Sequence, residues 1–144
     1  MFTIDLRSGY IGAAVFAVVA GTVMLISAVA GAEPYSVAPV TEYMLLPKFC
    51  WGHFNDDLQG EEFYIPRCGG GTNHYCDGLL SLQRSKKAKD IYARTVMLTS
   101  AKKDTIYTIG YLKRDGVMAS CPIASHVQQT LQEIELQMQI YHVK

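Results

Sequence analysis

The sequence predicts an all-α molecule: an amino-terminal transmembrane helix followed by a small, disulfide-stapled helical domain. Three observations lead to that class. Between Arg7 and Glu33 lie 25 residues without a single charge, most of them apolar. From about residue 75 onward, apolar residues recur every three or four positions, the spacing that gathers them on one side of a helix. All four cysteines, Cys50, Cys68, Cys76 and Cys121, lie beyond the uncharged run.

As a helix, residues 8–32 would be about 37 Å long, enough to cross a hydrocarbon core of about 30 Å. Residues 1–32 therefore read as a membrane anchor. A cleaved signal peptide is the alternative, because Ala30-Gly31-Ala32 is a small-x-small site. The run is long for that role, since a signal needs only about 7–15 apolar residues, and Arg7 and the amino terminus alone supply positive charge ahead of it. Arg7 before and Glu33 after the run predict a cytoplasmic amino terminus, with the remainder outside. In a bacterium this is a single-pass inner-membrane protein with a periplasmic domain. Ala13, Ala17 and Gly21 recur every four residues and form a stripe that lets a second membrane helix approach closely. Small residues are also common in membrane helices without such a role. The partners implied are the lipid bilayer and integral membrane subunits.

Residues 33–47 contain Pro34, Pro39 and Pro47 and read as an extended linker with a short helix near residues 41–46. About 110 residues follow the anchor, enough for one domain and not two. The periplasmic domain proper is placed at residues 48–144. Residues 48–74 are irregular and rich in Gly, Asp and aromatics. A first helix starts at Tyr75, continues through Leu79, Leu80 and Leu82, and ends in the region 86–89. Tyr92, Val96, Thr99, Lys103, Ile106 and Gly110 mark the face of a second helix of about 20 residues. Lys113 and Arg114 suit its carboxyl end, and Asp115-Gly116 its stop. After Pro122, Ser125 with Gln128 forms a capping box opening a third helix, whose apolar face is Val127, Leu131, Ile134, Met138 and Tyr141.

The hairpin over residues 73–112, with Gly78 in its first helix and Tyr92, Ala93, Ala101 and Tyr107-Thr108 in its second, resembles a tetratricopeptide repeat unit. Over residues 46–123, Leu46-Pro47-Lys48-Phe49-Cys50-Trp51, Cys68-Gly69, Asn73-His74-Tyr75-Cys76, Gly78-Leu79-Leu80 and Cys121-Pro122 are similar to a group of small exported bacterial tetratricopeptide-like proteins. The resemblance implies a protein-interaction scaffold and no chemistry. The aromatic that opens an ordinary repeat is missing, and such arrays need about three repeats to bury their faces. The cysteine loop and the third helix, or another protein, would have to act as caps.

Four cysteines in an oxidising compartment read as two disulfides, for which three connectivities exist. Cys68 and Cys76 lie at the start of the first helix and Cys121 after the second, points that meet at one end of an antiparallel hairpin. Cys50–Cys76 with Cys68–Cys121 is the favoured pairing. Zinc is the sharper alternative, since Cys50-x-x-His53 and Cys68…His74-x-Cys76 supply ligand types it accepts. Oxidation of exported thiols and the unusual His74-x-Cys76 spacing weigh against it. A catalytic cysteine paired with His53 or His74 needs a free thiol. Haem attachment needs a second cysteine that Cys50-Trp-Gly-His lacks. Asp56, Asp57, Glu61 and Glu62 lack EF-hand spacing, and Gly69-Gly70-Gly71 reads as a turn because no Lys-Ser/Thr follows. His126 and His142 read as surface residues. No cofactor, metal, small-molecule substrate or catalytic set is expected.

Residues 84–114 hold nine of the thirteen Lys and Arg against Asp90 and Asp104. Such a run fits nucleic acid or anionic lipid, but export argues against nucleic acid. The expected reading is a solvated face balanced by the acidic residues 56–62. Phe49, Trp51, Phe54, Phe63 and Tyr64 crowd sixteen residues. Either they cap the hairpin, or Trp51, Phe54, Phe63 and Tyr64 dock a partner. The expected function is a non-catalytic, membrane-anchored accessory or scaffold subunit of a larger bacterial membrane complex. A free periplasmic adaptor released by cleavage and a small exported enzyme or zinc protein are the alternatives.

Overall fold

Helices and short turns account for the regular structure of a computed structural model that describes residues 38–65 and 68–143. These residues belong to the compact unit Ala32–Lys144. The predicted anchor and its Ala13, Ala17 and Gly21 stripe lie outside the described residues. Among the described residues there is no strand, and no helix is long and apolar enough to cross a membrane.

Two single-turn helices, α1 (Val40–Tyr43) and α2 (Trp51–Phe54), and 3-10 turns at Lys48–Cys50, Glu61–Phe63 and Gly70–Thr72 precede three long helices. These are α3 (Asn73–Lys87), α4 (Ile91–Arg114) and α5 (Ala124–Ile140). α3 and α4 form the predicted hairpin, and α5 lies mainly along α4. Asp90 makes the turn between them abrupt: its carboxylate accepts from the Ala93 amide at 2.8 Å, capping α4. Arg94 then donates to the Ser85 and Ala88 carbonyls at 3.2 and 2.6 Å, satisfying the open carboxyl end of α3.

α4 stops where Asp115-Gly116 predicts. Gly116 adopts φ 67°, its amide donates to Lys113, and the Val117 amide reaches back to the Leu112 carbonyl at 3.1 Å. That pattern is a Schellman closure. The end of α5 repeats it with His142, at φ 53°, in the left-handed position: the Val143 amide donates to Met138 and the His142 amide to Gln139.

The core has two parts. Tyr75, Leu79, Leu80, Leu112, Ile123 and Val127 surround the four cysteine sulfurs at one end. Leu82, Leu98, Ala101 and Ile134 form a second cluster, against which Met138, Tyr141 and Val143 pack. Where α3 crosses α4, a Cβ on Gly78 would stand 3.3 Å from the Ala101 carbonyl oxygen, so the two backbones meet closely there.

Two expectations are corrected. α4 does not bury Tyr92, Val96, Thr99, Lys103, Ile106 and Gly110; that stripe faces solvent. Leu98, Ala101, Thr105, Thr108 and Leu112 are buried instead. The helix carries apolar residues around its circumference, and small side chains, Ala101 and Thr105, take the middle of the buried face, where α3 approaches closely at Gly78. The threonine hydroxyls are satisfied by backbone carbonyls, Thr105 donating to Ala101 and Thr108 to Asp104 of α4 and to Gly71 in the turn before α3. Nor does Ser125 open α5 as a cap: the helix starts at Ala124, with Ile123 at the cap position and no side-chain cap bond. Burial of Ile123 and the tether at Cys121 fix that start instead.

Candidate functional site

The two disulfides build the end of the molecule that the sequence singled out. Cys50 bonds Cys76 and Cys68 bonds Cys121, the favoured pairing. The first ties the 3-10 turn that leads into α2 to α3; the second ties the entry of α3 to the segment before α5. No free cysteine remains among the described residues. The imidazoles of the zinc alternative pair with carboxylates, and the sulfurs beside them are oxidised.

The aromatics that the sequence left between capping and docking pack into the end of the molecule. Trp51 donates its indole N–H to the Leu46 carbonyl at 3.0 Å and stacks on Phe63 at 6.0 Å. Phe54 stacks on Tyr43 at 6.2 Å, whose hydroxyl accepts from Asn55 at 3.1 Å. Phe49, Trp51 and Phe54 all pack against the disulfide core. Of the predicted docking set, Trp51, Phe54 and Phe63 are thus half-buried cap residues, and Tyr64 alone is exposed. Even Tyr64 is tied down, donating to Leu58 at 2.9 Å while its ring covers Gly52, where an added Cβ would stand 2.7 Å from Cζ.

A polar cleft opens beside this cap, between the start of α3 and the middle of α4. His53 donates to Asp77 at 3.0 Å, and His74 faces Asp104 at 3.7 Å. A cavity of about 370 Å³ is lined by His74, Asp77, Ser100, Lys103, Asp104 and Tyr107. Burial, then the nearby Asp77 carboxylate, pushes the Asp104 carboxyl above the ordinary range, with His74 and Lys103 opposing. The His74 ring lies 4.3 Å from Tyr107, which lies 4.8 Å from Tyr111, and Arg114 stacks over Tyr111 at 3.7 Å. Chemically, such a cleft can hold a proton or an organic cation between carboxylates and rings. Among the described residues, no three His, Cys, Asp or Glu side chains converge as metal ligands.

A buried latch was missed in the sequence. Tyr75 is fully buried in α3, and its hydroxyl hydrogen-bonds with Thr130 of α5 at 2.8 Å and with His126. Burial pushes this phenol up to about 12, the Thr130 bond opposing and Glu133 adding to the rise. His126 is thus an exposed residue with a structural partner.

Part of the basic run is paired, but not with the acidic loop. Arg84 pairs with Glu42 at 2.7 Å, Lys86 with Glu133 at 2.6 Å and Lys102 with Glu135 at 3.2 Å. Arg94 closes α3 and stacks on Tyr141 at 4.1 Å. Among the described residues the acidic loop pairs only with Lys48, through Glu62 at 3.6 Å. Charge is balanced by α1 and α5 because they, and not the loop, lie across the hairpin.

What α4 leaves open is a mixed face bearing Ile91, Tyr92, Val96, Ile106 and Tyr107, with Tyr92 78% exposed. Comparison with protein-family models, curated proteins and solved structures finds no match, so a functional reading rests on the chain's own residues.

Proposed function

We propose that this chain is a non-catalytic, membrane-anchored accessory or scaffold subunit of a larger membrane complex. It contributes one membrane helix from residues 8–32 and an interaction domain on the outer side. The observation that carries this reading is the 25-residue uncharged run placed directly ahead of a domain closed by two disulfides. Each points to the same side of a membrane, since structural disulfides persist where thiols are oxidised. The tetratricopeptide-like resemblance adds a scaffold role. The exposed α4 face is the surface offered to a protein subunit of that complex. Its apolar side chains stand beside Lys103, which makes no ion pair among the described residues, and so fit an apolar segment with acidic flanks.

Alkaline carbonate washing with mass spectrometry of the mature amino terminus tests the anchor. The expected result is a chain retaining residues 1–32 in the membrane pellet. A mature chain starting at Glu33 in the soluble fraction would make the protein a free adaptor. Purification from native membranes should then bring down integral membrane subunits. Ala17→Leu or Gly21→Leu should weaken that association without impairing insertion, because closeness of approach is lost while hydrophobicity rises.

A further inference from the structure

Immediately beyond the uncharged run, the chain presents apolar side chains to solvent. Val40, Met44 and Leu45 are 55%, 52% and 65% exposed, on α1 and the turn that follows it. Six Cα–Cα steps separate Ala32 from Ala38, a tether of at most about 22 Å. The headgroup layer on each side of a bilayer is about 5–8 Å deep. A segment so tethered reaches that layer easily.

Lysines flank the same place. Leu45 and Lys86 line one groove of about 360 Å³. Ala38, Pro39, Arg84 and Lys87 line another of about 660 Å³. Lys86 thus shares a groove with Leu45 after α1, Lys87 shares one with Ala38, Pro39 and Glu42 at α1, and Lys89 follows in the α3–α4 turn. The acidic groups nearby are engaged: Glu42 pairs with Arg84, Glu133 with Lys86, and Asp90 caps α4. Lys87 and Lys89 make no ion pair among the described residues and leave this end positive. Exposed apolar side chains with unpaired lysines close by are the composition that seats a segment at a lipid interface.

We propose that Val40, Met44 and Leu45, with the unpaired Lys87 beside α1 and Lys89 in the turn that follows α3, form a docking patch that lays this end of the domain on an anionic bilayer surface. The three apolar side chains enter the boundary between headgroups and acyl chains, and the lysines meet lipid phosphates. The patch rests on the anchor reading, and it fixes the orientation of the domain that the anchor alone leaves free.

Peroxide oxidation of Met44 reads the patch directly. The full-length protein is reconstituted in vesicles of phosphatidylglycerol and phosphatidylethanolamine, and in vesicles of phosphatidylcholine alone. Oxidation of Met44 is followed by peptide mass spectrometry against Met118, which lies half-buried in the segment before α5. Met44 should be protected relative to Met118 in the anionic vesicles and less so in the neutral ones. Lys87→Gln and Lys89→Gln should each weaken the docked state by roughly fivefold. Leu45→Asp, at an exposed position, should abolish protection while leaving the melting temperature unchanged. Carbonate resistance in the same vesicles reports the anchor separately. An anchored protein whose Met44 oxidises as in Leu45→Asp overturns the patch and leaves the anchor standing. Protection that requires native membrane proteins and is absent from pure lipid overturns it too, assigning the surface to a protein partner.

Discussion

At His142 the backbone takes φ 53°, a conformation that costs a residue with a Cβ about 1–2 kcal/mol and costs glycine almost nothing. The residue is exposed, and its amide bond to Gln139 would be retained by glycine. His142→Gly should therefore raise stability by about 1 kcal/mol in urea denaturation; a lower midpoint would show that the imidazole contributes more than the turn costs. Asp104 carries strain of another kind. Its carboxyl ionises less readily in the folded protein than in the unfolded chain, first because it is buried and then because Asp77 stands close. The folded state thus holds the proton more tightly, so Asp104 favours folding at low pH. That contribution is lost as pH rises through the raised folded value. Asp104→Asn should melt higher than the parent near neutrality, with the gap closing as pH falls toward the ordinary carboxylate range. A gap independent of pH would mean that the His74 contact offsets burial, so that folding leaves the carboxyl unshifted.

Among elements, the disulfides set the hierarchy of stability. Cys50–Cys76 closes 26 residues and Cys68–Cys121 closes 53. Chain entropy assigns them roughly 3.5 and 4 kcal/mol. Replacing each pair by alanine should lower the urea midpoint, the longer loop costing more; the reverse order would place a larger packing role on the Cys50–Cys76 bond. The pairing was legible because a helical hairpin brings the residues before its first helix and after its second to one end. α3 and α5 were legible too, since Tyr75, Leu79, Val127 and Ile134 recur at helical spacing and are buried. α4 was legible as a helix and not as a face. Its burial follows from how closely α3 approaches at Gly78, a tertiary fact, so Ala101, Thr105 and Thr108 are enclosed while Tyr92 and Val96 are left out. The Tyr75–Thr130–His126 latch joins residues more than fifty positions apart, and no local pattern announces it. In the cap, composition revealed five crowded rings but not that Leu46 and Tyr43 would receive two of them.

For the whole molecule, the division between cap and docking face can be put to a single comparison. Trp51 is half-buried, hydrogen-bonded to Leu46 and stacked on Phe63. Trp51→Ala removes a large ring from the packed cap and should cost about 2–4 kcal/mol, toward the low end of aromatic truncations because the ring is only half-buried. Val96 and Ile106 are on the open side of α4, 51% and 48% exposed. Glutamate at both positions keeps good helix propensity, and surface changes of this kind alter stability by only about 0.5 kcal/mol. Charge on the face opposes burial against an apolar, acid-flanked partner. Val96→Glu with Ile106→Glu should thus melt close to the parent, remain in the carbonate-resistant pellet, and fail to bring down the subunits that the parent captures. Trp51→Ala should show the opposite pattern at moderate temperature: a lower melting temperature, with association retained while the domain stays folded. If the α4 variant still assembles, the partner docks elsewhere. If Trp51→Ala loses the complex without losing stability, the cap is itself the interface.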